Sequence, residues 1–406
     1  MPFKKLPHGL QDYGFKETFF LKNLEANFRR QCILANYAEI DSSTLDYYDN
    51  LTLKYAGGEE IVKELYSLKD QGDRKLGLRF DLTIPTARFF SESQYSLPFK
   101  RFQVGKVYRD GPVKKGRLRE FYQFDVDVYG ISGLSAELEI LSILSKVLEE
   151  LKIDFIIKIN HRKFLDLVIT KITGLKETEE ILLTLDKLEK QGKEKVIEEL
   201  LRKNITKKNA MALLDLLSDK KVLTDKRFKG EGSEELNELI KLCKNQKIPV
   251  VFLPTLSRGL NYYSGIIFEI YSSNFDSSIG SGGRYDGMLK NLCGRDFPAV
   301  GGSIGATALL SACELIDPKK GVLVFDFGTK RLISQIYKLK DAGIPADYSN
   351  HSSISKALDY ANKNNYSYVL IQGDKDLEKK VFTLKNLSTG KDQTINEKEI
   401  IKVILT

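Results

Sequence analysis

In the run Phe121-Tyr122-Gln123-Phe124-Asp125-Val126-Asp127-Val128-Tyr129, polar and apolar side chains alternate. Extended backbone turns successive side chains to opposite faces, so Gln123, Asp125 and Asp127 share one face and Tyr122, Phe124, Val126 and Val128 the other. An amide and two carboxylates in a row could receive a ligand bearing an ammonium or an imidazole N–H, because a charge removed from water needs a partner. The same pattern also fits an antiparallel strand with one face in solvent. Upstream, Arg109 leads into the basic stretch Lys114-Lys115-Gly116-Arg117-Leu118-Arg119. A hairpin of that make-up can hold a phosphate beside an amine: the guanidinium fork matches phosphate oxygens, and the glycine lets the loop shift. Two glycine-containing segments, Ser257-Arg258-Gly259-Leu260-Asn261-Tyr262-Tyr263-Ser264-Gly265 and Gly280-Ser281-Gly282-Gly283-Arg284-Tyr285-Asp286-Gly287, permit close approach of backbone to a ligand, though such segments are often only turns.

Other reactive side chains point elsewhere. Cys32, Cys243, Cys293 and Cys313 are far apart, with neither a C-x-x-C pair nor a neighbouring histidine, so packed free thiols are expected and no metal site is. His8, His161 and His351 are isolated and read as ordinary surface or packing residues.

The elements that must carry the polar strand can be placed by periodicity. Leu21, Leu24, Phe28 and Cys32 recur at helical spacing, which predicts an amphipathic helix between Phe15 and Glu39. From Leu76 to Tyr129 the texture is that of strands, and Ile140, Leu141, Leu144, Val147, Leu148 and Leu151 mark a further helix. Residues 161–248, rich in Lys, Glu and Leu, read as almost wholly helical. Strand texture then resumes at Val250-Val251-Phe252-Leu253 and Ile266-Ile267-Phe268-Glu269-Ile270, so a first domain is interrupted and completed. Past Asp317-Pro318-Lys319-Lys320, short strands and helices alternate in a small α/β unit, closing with a hairpin across Ser388-Thr389-Gly390.

With 406 residues, two or three domains are expected. Hydrophobic residues at 42% and charged residues at 29% exclude a disordered chain. The lack of a run of about 18 uncharged apolar residues gives no expectation of a membrane span, and a cytoplasmic protein is the reading. The net charge of +8 suits a polyanionic partner, and residues 319–406 hold 15 Lys+Arg against 10 Asp+Glu.

Taken in order, Leu78-Arg79-Phe80-Asp81-Leu82-Thr83, the stretch from Val107-Tyr108-Arg109-Asp110 to Asp127, Arg258-Gly259-Leu260-Asn261-Tyr262-Tyr263-Ser264-Gly265 and Gly282-Gly283-Arg284-Tyr285-Asp286 resemble the signature segments of histidyl-tRNA synthetases, a class II aminoacyl-tRNA synthetase family. Ile159-Asn160-His161-Arg162 and Leu185-Asp186-Lys187-Leu188 extend the resemblance into the helical stretch, and the C-terminal unit is similar to an anticodon-binding domain. The resemblance implies an α+β fold: an antiparallel-sheet catalytic domain at 1–160 and 249–317, a helical insertion at 161–248 and an α/β anticodon-binding-like domain at 319–406, assembled as a homodimer. It implies that histidine, ATP with Mg²⁺, and tRNA are the partners, histidine being converted to histidyl-adenylate and then transferred to the tRNA 3′ end.

By the same resemblance Asp81 and Thr83 would hold the amino group, with Gln123 and Asp127 near it, and Tyr262 and Tyr263 would shape the imidazole pocket. Arg109 would bind the α-phosphate and Arg258 approach the same reacting centre. Lys114, Lys115, Arg117 and Arg119 would meet phosphates of ATP or of the tRNA end, and Gly282, Gly283 and Arg284 would form a loop beside the ligand. No covalent nucleophile is needed; positioning and electrostatics carry the rate. Three positions depart from the family pattern. Ala308 stands where an arginine grips the γ-phosphate, Gly111 where a glutamate lies near the adenine, and Ser43 where the first class II motif has proline. They leave room for a second expectation, a non-charging histidine-binding protein like the regulatory subunit of ATP phosphoribosyltransferase, which the opening Leu6-Pro7-His8-Gly9-Leu10-Gln11-Asp12 would suit.

Overall fold

A computed structural model of the chain describes residues 4–53, 62–257 and 262–405. It divides into two compact units, Met1–Tyr13 with Phe20–Glu314, and Gly14–Phe19 with Leu315–Thr406.

The strands of the larger unit are, in chain order, β1 (Ala38–Glu39), β2 (Leu45–Tyr47), β3 (Ser67–Lys69), β4 (Lys75–Leu78), β5 (Phe99–Tyr108), β6 (Glu120–Tyr129), β7 (Phe155–His161), β8 (Val250–Phe252), β9 (Ile266–Ser272), β10 (Ser278–Arg284) and β11 (Ala299–Gly305). Eight of them form one sheet in the order β1-β5-β6-β11-β10-β9-β7-β8, antiparallel except at its two ends, where β1 pairs with β5 and β8 with β7 in parallel. A separate small sheet runs β2-β4-β3. The helix anticipated from Phe15 to Glu39 stops at Leu34. Asn36, with φ of 60°, turns the chain into β1, and asparagine is among the few side chains that tolerate that conformation.

β6 lies between β5 and β11 and therefore has a neighbour on each edge. Its apolar residues Phe124, Val126 and Val128 pack into the main core with Leu24 and Phe28 of the first helix and with Ile140 and Leu144 of the helix Ser135–Glu150. Each such fully buried side chain contributes roughly 1.5–3 kcal/mol, so the apolar stripe fixes which way the strand faces. The polar stripe of β6 is then forced to the opposite side.

Between β7 and β8 the chain is helical, including Arg162–Thr173, Glu179–Leu185, Lys193–Arg202, Lys207–Leu217 and Glu231–Asn245. Buried Phe164, Leu165, Val168 and Ile169 show the spacing of a one-sided helix. His161 is a packing residue: its Nδ1 accepts from the Lys163 N–H at the start of that helix, and its Nε2 lies 2.7 Å from Glu235 Oε2. Cys32 and Cys243 are buried free thiols.

In the smaller unit, β12 (Lys320–Phe325), β13 (Ala346–Tyr348), β14 (Tyr366–Ile371), β15 (Val381–Asn386) and β16 (Asp392–Asn396) are ordered β13-β12-β14-β15-β16. β12 is parallel to both its neighbours, while β14, β15 and β16 are antiparallel. Val322, Val324 and Leu370 bury on one face with Ile336 and Leu339, and Leu323, Phe325 and Val369 on the other with Ala357 and Ala361. Among the described residues, no helix is long and apolar enough to cross a membrane.

Candidate active site

The polar stripe of β6 is not solvated. Asp125 and Asp127 are each 3% exposed and line a cavity of about 740 Å³ set into the antiparallel part of the sheet. Strand register sets the residues at and beside its floor in rows: Arg101, Asp127 and Gly301 lie side by side across β5, β6 and β11, followed by Gln103, Asp125 and Ser303, then Gly105, Gln123 and Gly305, the β5 members standing outside the lining. Gly301 is a glycine for a steric reason, since a Cβ there would sit 1.8 Å from Asp127 Oδ1. Asp127 Oδ1 also accepts from the Tyr285 hydroxyl. Gln123 Nε2 donates to Asp125 Oδ2 at 3.3 Å.

Asp81 and Thr83 enter at the start of the helix Thr83–Glu92, where Asp81 Oδ1 accepts the Ile84 N–H at 3.1 Å. Asp81 is buried and lines the same cavity. Burial raises its carboxyl to about 6, against the pull of that N–H and of Arg109 and Arg101. Asp125 is pushed up to about 8, first by burial and then by the neighbouring Asp127 and Asp81 carboxylates, with Arg101 opposing. Asp127 is raised by burial and drawn back by Arg101 and the Tyr285 hydroxyl.

Arg109 follows β5 and lines the cavity. Its Nε donates to Phe80 O at 2.9 Å, and the guanidinium stands 5.2 Å from the Phe121 ring centre. Burial lowers its pKa while Asp81 supports the charge, and a guanidinium so placed stays cationic. The hairpin beyond it closes by mutual backbone hydrogen bonds between Lys114 and Arg117, with Gly116 at φ of 73° in the left-handed region. Lys114, Lys115 and Arg117 line the cavity, and Arg117 Nη2 donates to both carboxylate oxygens of Glu64, at 2.8 and 3.0 Å. Tyr262 and Tyr263 form another wall, their ring centres 4.7 Å apart.

Most of the residues singled out by sequence thus meet in one cavity, but not all. Arg119 does not line it: its guanidinium pairs with Asp110 at 3.0 Å, and its backbone N–H donates to Gly9 O. The segment expected as a ligand-adjacent loop is strand β10. Gly282 lines the cavity, whereas Gly283 and Arg284 do not; Arg284 donates from Nε and Nη2 to the two oxygens of the fully buried Glu137, at 2.6 and 2.8 Å. It is a structural pair joining β10 to the helix Ser135–Glu150. Arg258 lies outside the described residues.

Of the departures from the family pattern, Gly111 has a local explanation. A Cβ on Gly111 would stand 2.4 Å from Glu64 Oε1, so Glu64 occupies the space that a side chain at 111 would take. Ala308 lines the cavity against the Gly116 turn, whose own Cβ would come within 3.3 Å of the Ala308 Cα and 2.4 Å of the Phe275 ring. Ser43 donates its hydroxyl to Leu45 O at 2.7 Å and nothing else in the structure explains the loss of proline there.

A family model described as histidyl-tRNA synthetase matches residues 9–309, and one described as anticodon binding domain matches residues 331–406. The chain belongs to the histidyl-tRNA synthetase family. Histidine–tRNA ligase 1 of Bacillus anthracis is 36% identical over 378 residues, covering 87% of this chain and 88% of that protein. Among solved structures, histidyl-tRNA synthetase from Nostoc sp. PCC 7120 superposes with a TM-score of 0.86 at 24% identity, over 100% of this chain and 99% of that one. An ATP phosphoribosyltransferase regulatory subunit/histidyl-tRNA synthetase from Bacillus halodurans C gives 0.75 at 22% identity, over 92% and 99%. These two likenesses establish the α+β, antiparallel-sheet synthetase fold.

Within that fold, sequence reasoning overlooked Arg101, Tyr285 and Glu64. Arg101 could be placed only once the register was known: with Tyr108 paired to Glu120, Arg101 falls opposite Asp127. Glu64 had no signal, because its relation to Gly111 and Arg117 is purely tertiary.

Proposed function

We infer that this chain is a histidine–tRNA ligase, with catalytic elements in 1–160 and 249–317, an insertion at 161–248 and a tRNA-reading domain at 319–406. The observation that carries the reading is the convergence of Asp81, Gln123 and Asp127 with Arg109 and the Lys114–Arg117 turn on one cavity of a synthetase-family chain. Acidic groups at one end suit the ammonium and imidazole N–H of histidine, and cations at the other suit polyphosphate.

In the first step a histidine carboxylate oxygen attacks the α-phosphorus of ATP while the bond to pyrophosphate breaks, giving histidyl-adenylate. In the second, a terminal ribose hydroxyl of tRNA attacks the activated carbonyl, loses its proton and releases AMP. Asp81 and Thr83 hold the amino group with Gln123 and Asp127 near it, Tyr262 and Tyr263 enclose the ring, and Arg109 steadies charge on the α-phosphate, with Arg258 as its partner. Lys114, Lys115 and Arg117 meet ATP or tRNA phosphates. Among the described residues no group of three His, Cys, Asp or Glu side chains is placed to hold a metal. Mg²⁺ would come on the ATP phosphates, neutralising their charge, as its preference for phosphate and water oxygens allows. A cytoplasmic homodimer completes the reading.

A second reading, histidine binding without charging, is favoured by one observation, the methyl group that Ala308 presents to the cavity in place of an arginine. One assay separates the two. Pyrophosphate exchange dependent on histidine, ATP and Mg²⁺, followed by charging of tRNA, is the result expected of the ligase. Histidine binding with no exchange would establish the second reading.

A further inference from the structure

Beside the cavity, on the same sheet face as its carboxylates, lies a cation with no part in the scheme above. Arg101 is wholly buried, on β5, directly across from Asp127 on β6. Its Nη2 lies 2.5 Å from Asp127 Oδ2 and donates to the carbonyl of Leu82 at 3.5 Å. The contact with Asp127 is an ion pair by distance, without the alignment of a hydrogen bond, and Nε and Nη1 are buried with no partner. An arginine is rarely buried this way for stability alone, since stripping its water costs more than one imperfect pair returns.

Its position accounts for the expense. Leu82 is the residue between Asp81 and Thr83, so one guanidinium touches both walls from which acidic groups reach the cavity. Three carboxyls, Asp81, Asp125 and Asp127, feel its charge. Gly301, with no side chain, leaves room for the Asp127 carboxylate, which is held by Arg101 from the β5 side and accepts from the Tyr285 hydroxyl.

We propose that Arg101 is a positioning residue for substrate recognition: from the neighbouring strand it holds the Asp127 carboxylate as an anion aimed into the cavity, and so sets affinity for the cationic or N–H-bearing end of the amino acid. This rests on reading Asp127 as part of the histidine site. Arg101 itself does not touch the ligand. The groups facing Asp127 are Arg101 on β5, Asp125 and Tyr129 on its own strand, Asp81 before the helix Thr83–Glu92, Tyr285 after β10 and, at longer range, Tyr37. Arg101 is the cation among them, so its removal leaves the Tyr285 hydroxyl as the remaining group that favours the charge of a buried Asp127.

The test is calorimetric titration of histidine into the full-length chain at pH 6.5, 7.5 and 8.5, comparing wild type, Arg101→Met, Arg101→Lys, Asp127→Asn and the Arg101→Met/Asp127→Asn double variant. Expressing each dissociation constant relative to wild type at the same pH cancels titration of histidine itself. Arg101→Met should weaken binding at pH 7.5 by at least about tenfold. That ratio should shrink towards pH 8.5 as Asp127 regains its charge, and Arg101→Lys should restore most of the loss with a flat ratio. The double variant should bind no more weakly than Asp127→Asn alone, because Arg101 acts only through that carboxylate. It is neutral overall at the pair, so it decides the matter even where Arg101→Met fails to fold. Losses that add in the double variant, or wild-type affinity in a folded Arg101→Met beside a weakened Asp127→Asn, overturn the role of Arg101 and leave the histidine site standing. Wild-type affinity in Asp127→Asn removes the site reading itself, and this inference with it.

Discussion

Asp125 shows how a single residue can carry a measurable cost for the sake of a site. It is buried, its Oδ1 has no hydrogen-bond partner, and burial with two neighbouring carboxylates pushes it up to about 8. The unfolded chain releases this proton near the ordinary aspartate value of about 4. Between those two values the folded protein binds more protons than the unfolded one, so stability must fall as pH rises through that window. Asp125→Asn removes the titration, and its unfolding free energy, measured in urea at pH 5 and pH 8, should drop less over this interval than that of wild type, by on the order of a few kcal/mol. An undiminished drop would mean that Asp125 is not the group responsible. Arg109 makes a second case at this scale, this time about rate. As a cation beside the reacting phosphate, its loss in Arg109→Ala should cut pyrophosphate exchange by about 10²–10³-fold with the fold retained, as removal of one preorganised charge-stabilising donor does. Full exchange in that variant, with circular dichroism unchanged, would remove it from the role.

The β5–β6 hairpin is the element that matters most, because one pairing register places Arg101, Gln103, Gln123, Asp125 and Asp127 together and sends Arg109 and the Lys114–Arg117 turn over the cavity. The turn depends on Gly116, held at φ of 73° with the Phe275 ring where a Cβ would be. Gly116→Ala should therefore displace the turn and lower exchange several-fold through a higher KM for ATP, and adding Phe275→Ala should recover part of the loss. A normal KM for ATP in Gly116→Ala would show that the turn has no bearing on the nucleotide. Much of this element was legible beforehand. Strict alternation from Phe121 to Tyr129 gave the strand and its two faces, since period two is a local property of the chain. What alternation could not give was whether the polar face is wet, because that depends on the walls supplied by residues 80–83, 262–263 and 301–308, remote in sequence. Arg284 illustrates the opposite failure. Its glycine-rich neighbourhood reads as a ligand loop, but the partner that decides its role, Glu137, lies 147 positions away on a helix that looks merely amphipathic. The helix Phe15–Leu34 and the helices after His161 were readable from spacing alone, their buried residues being those at one-face positions.

At the scale of the whole chain, division of labour follows from where the cores and the cavity lie. The unit that contains the sheet β1-β5-β6-β11-β10-β9-β7-β8 has a continuous core of its own, and the cavity is lined by residues between Phe80 and Ala308. The unit from Leu315 onward buries separate clusters on the two faces of its own sheet, and residues 331–406 match the anticodon binding domain. Histidine activation needs only small ligands in the cavity, whereas charging needs a polyanion held long enough to present its 3′ end. Since residues 319–406 carry 15 Lys+Arg against 10 Asp+Glu, part of that hold should be electrostatic and weaken as salt rises. A chain ended after Glu314 should therefore keep histidine-dependent pyrophosphate exchange within a few-fold of the full chain while losing charging of tRNA by at least about tenfold, the loss expected when a module supplying even about 1.4 kcal/mol of binding is removed. Charging by the full chain should also fall between about 50 and 200 mM salt, with exchange changing far less. Loss of exchange from a truncated chain that still unfolds cooperatively would mean that the C-terminal unit takes part in the chemistry of activation, and the assignment of that chemistry to the sheet cavity alone would have to be given up.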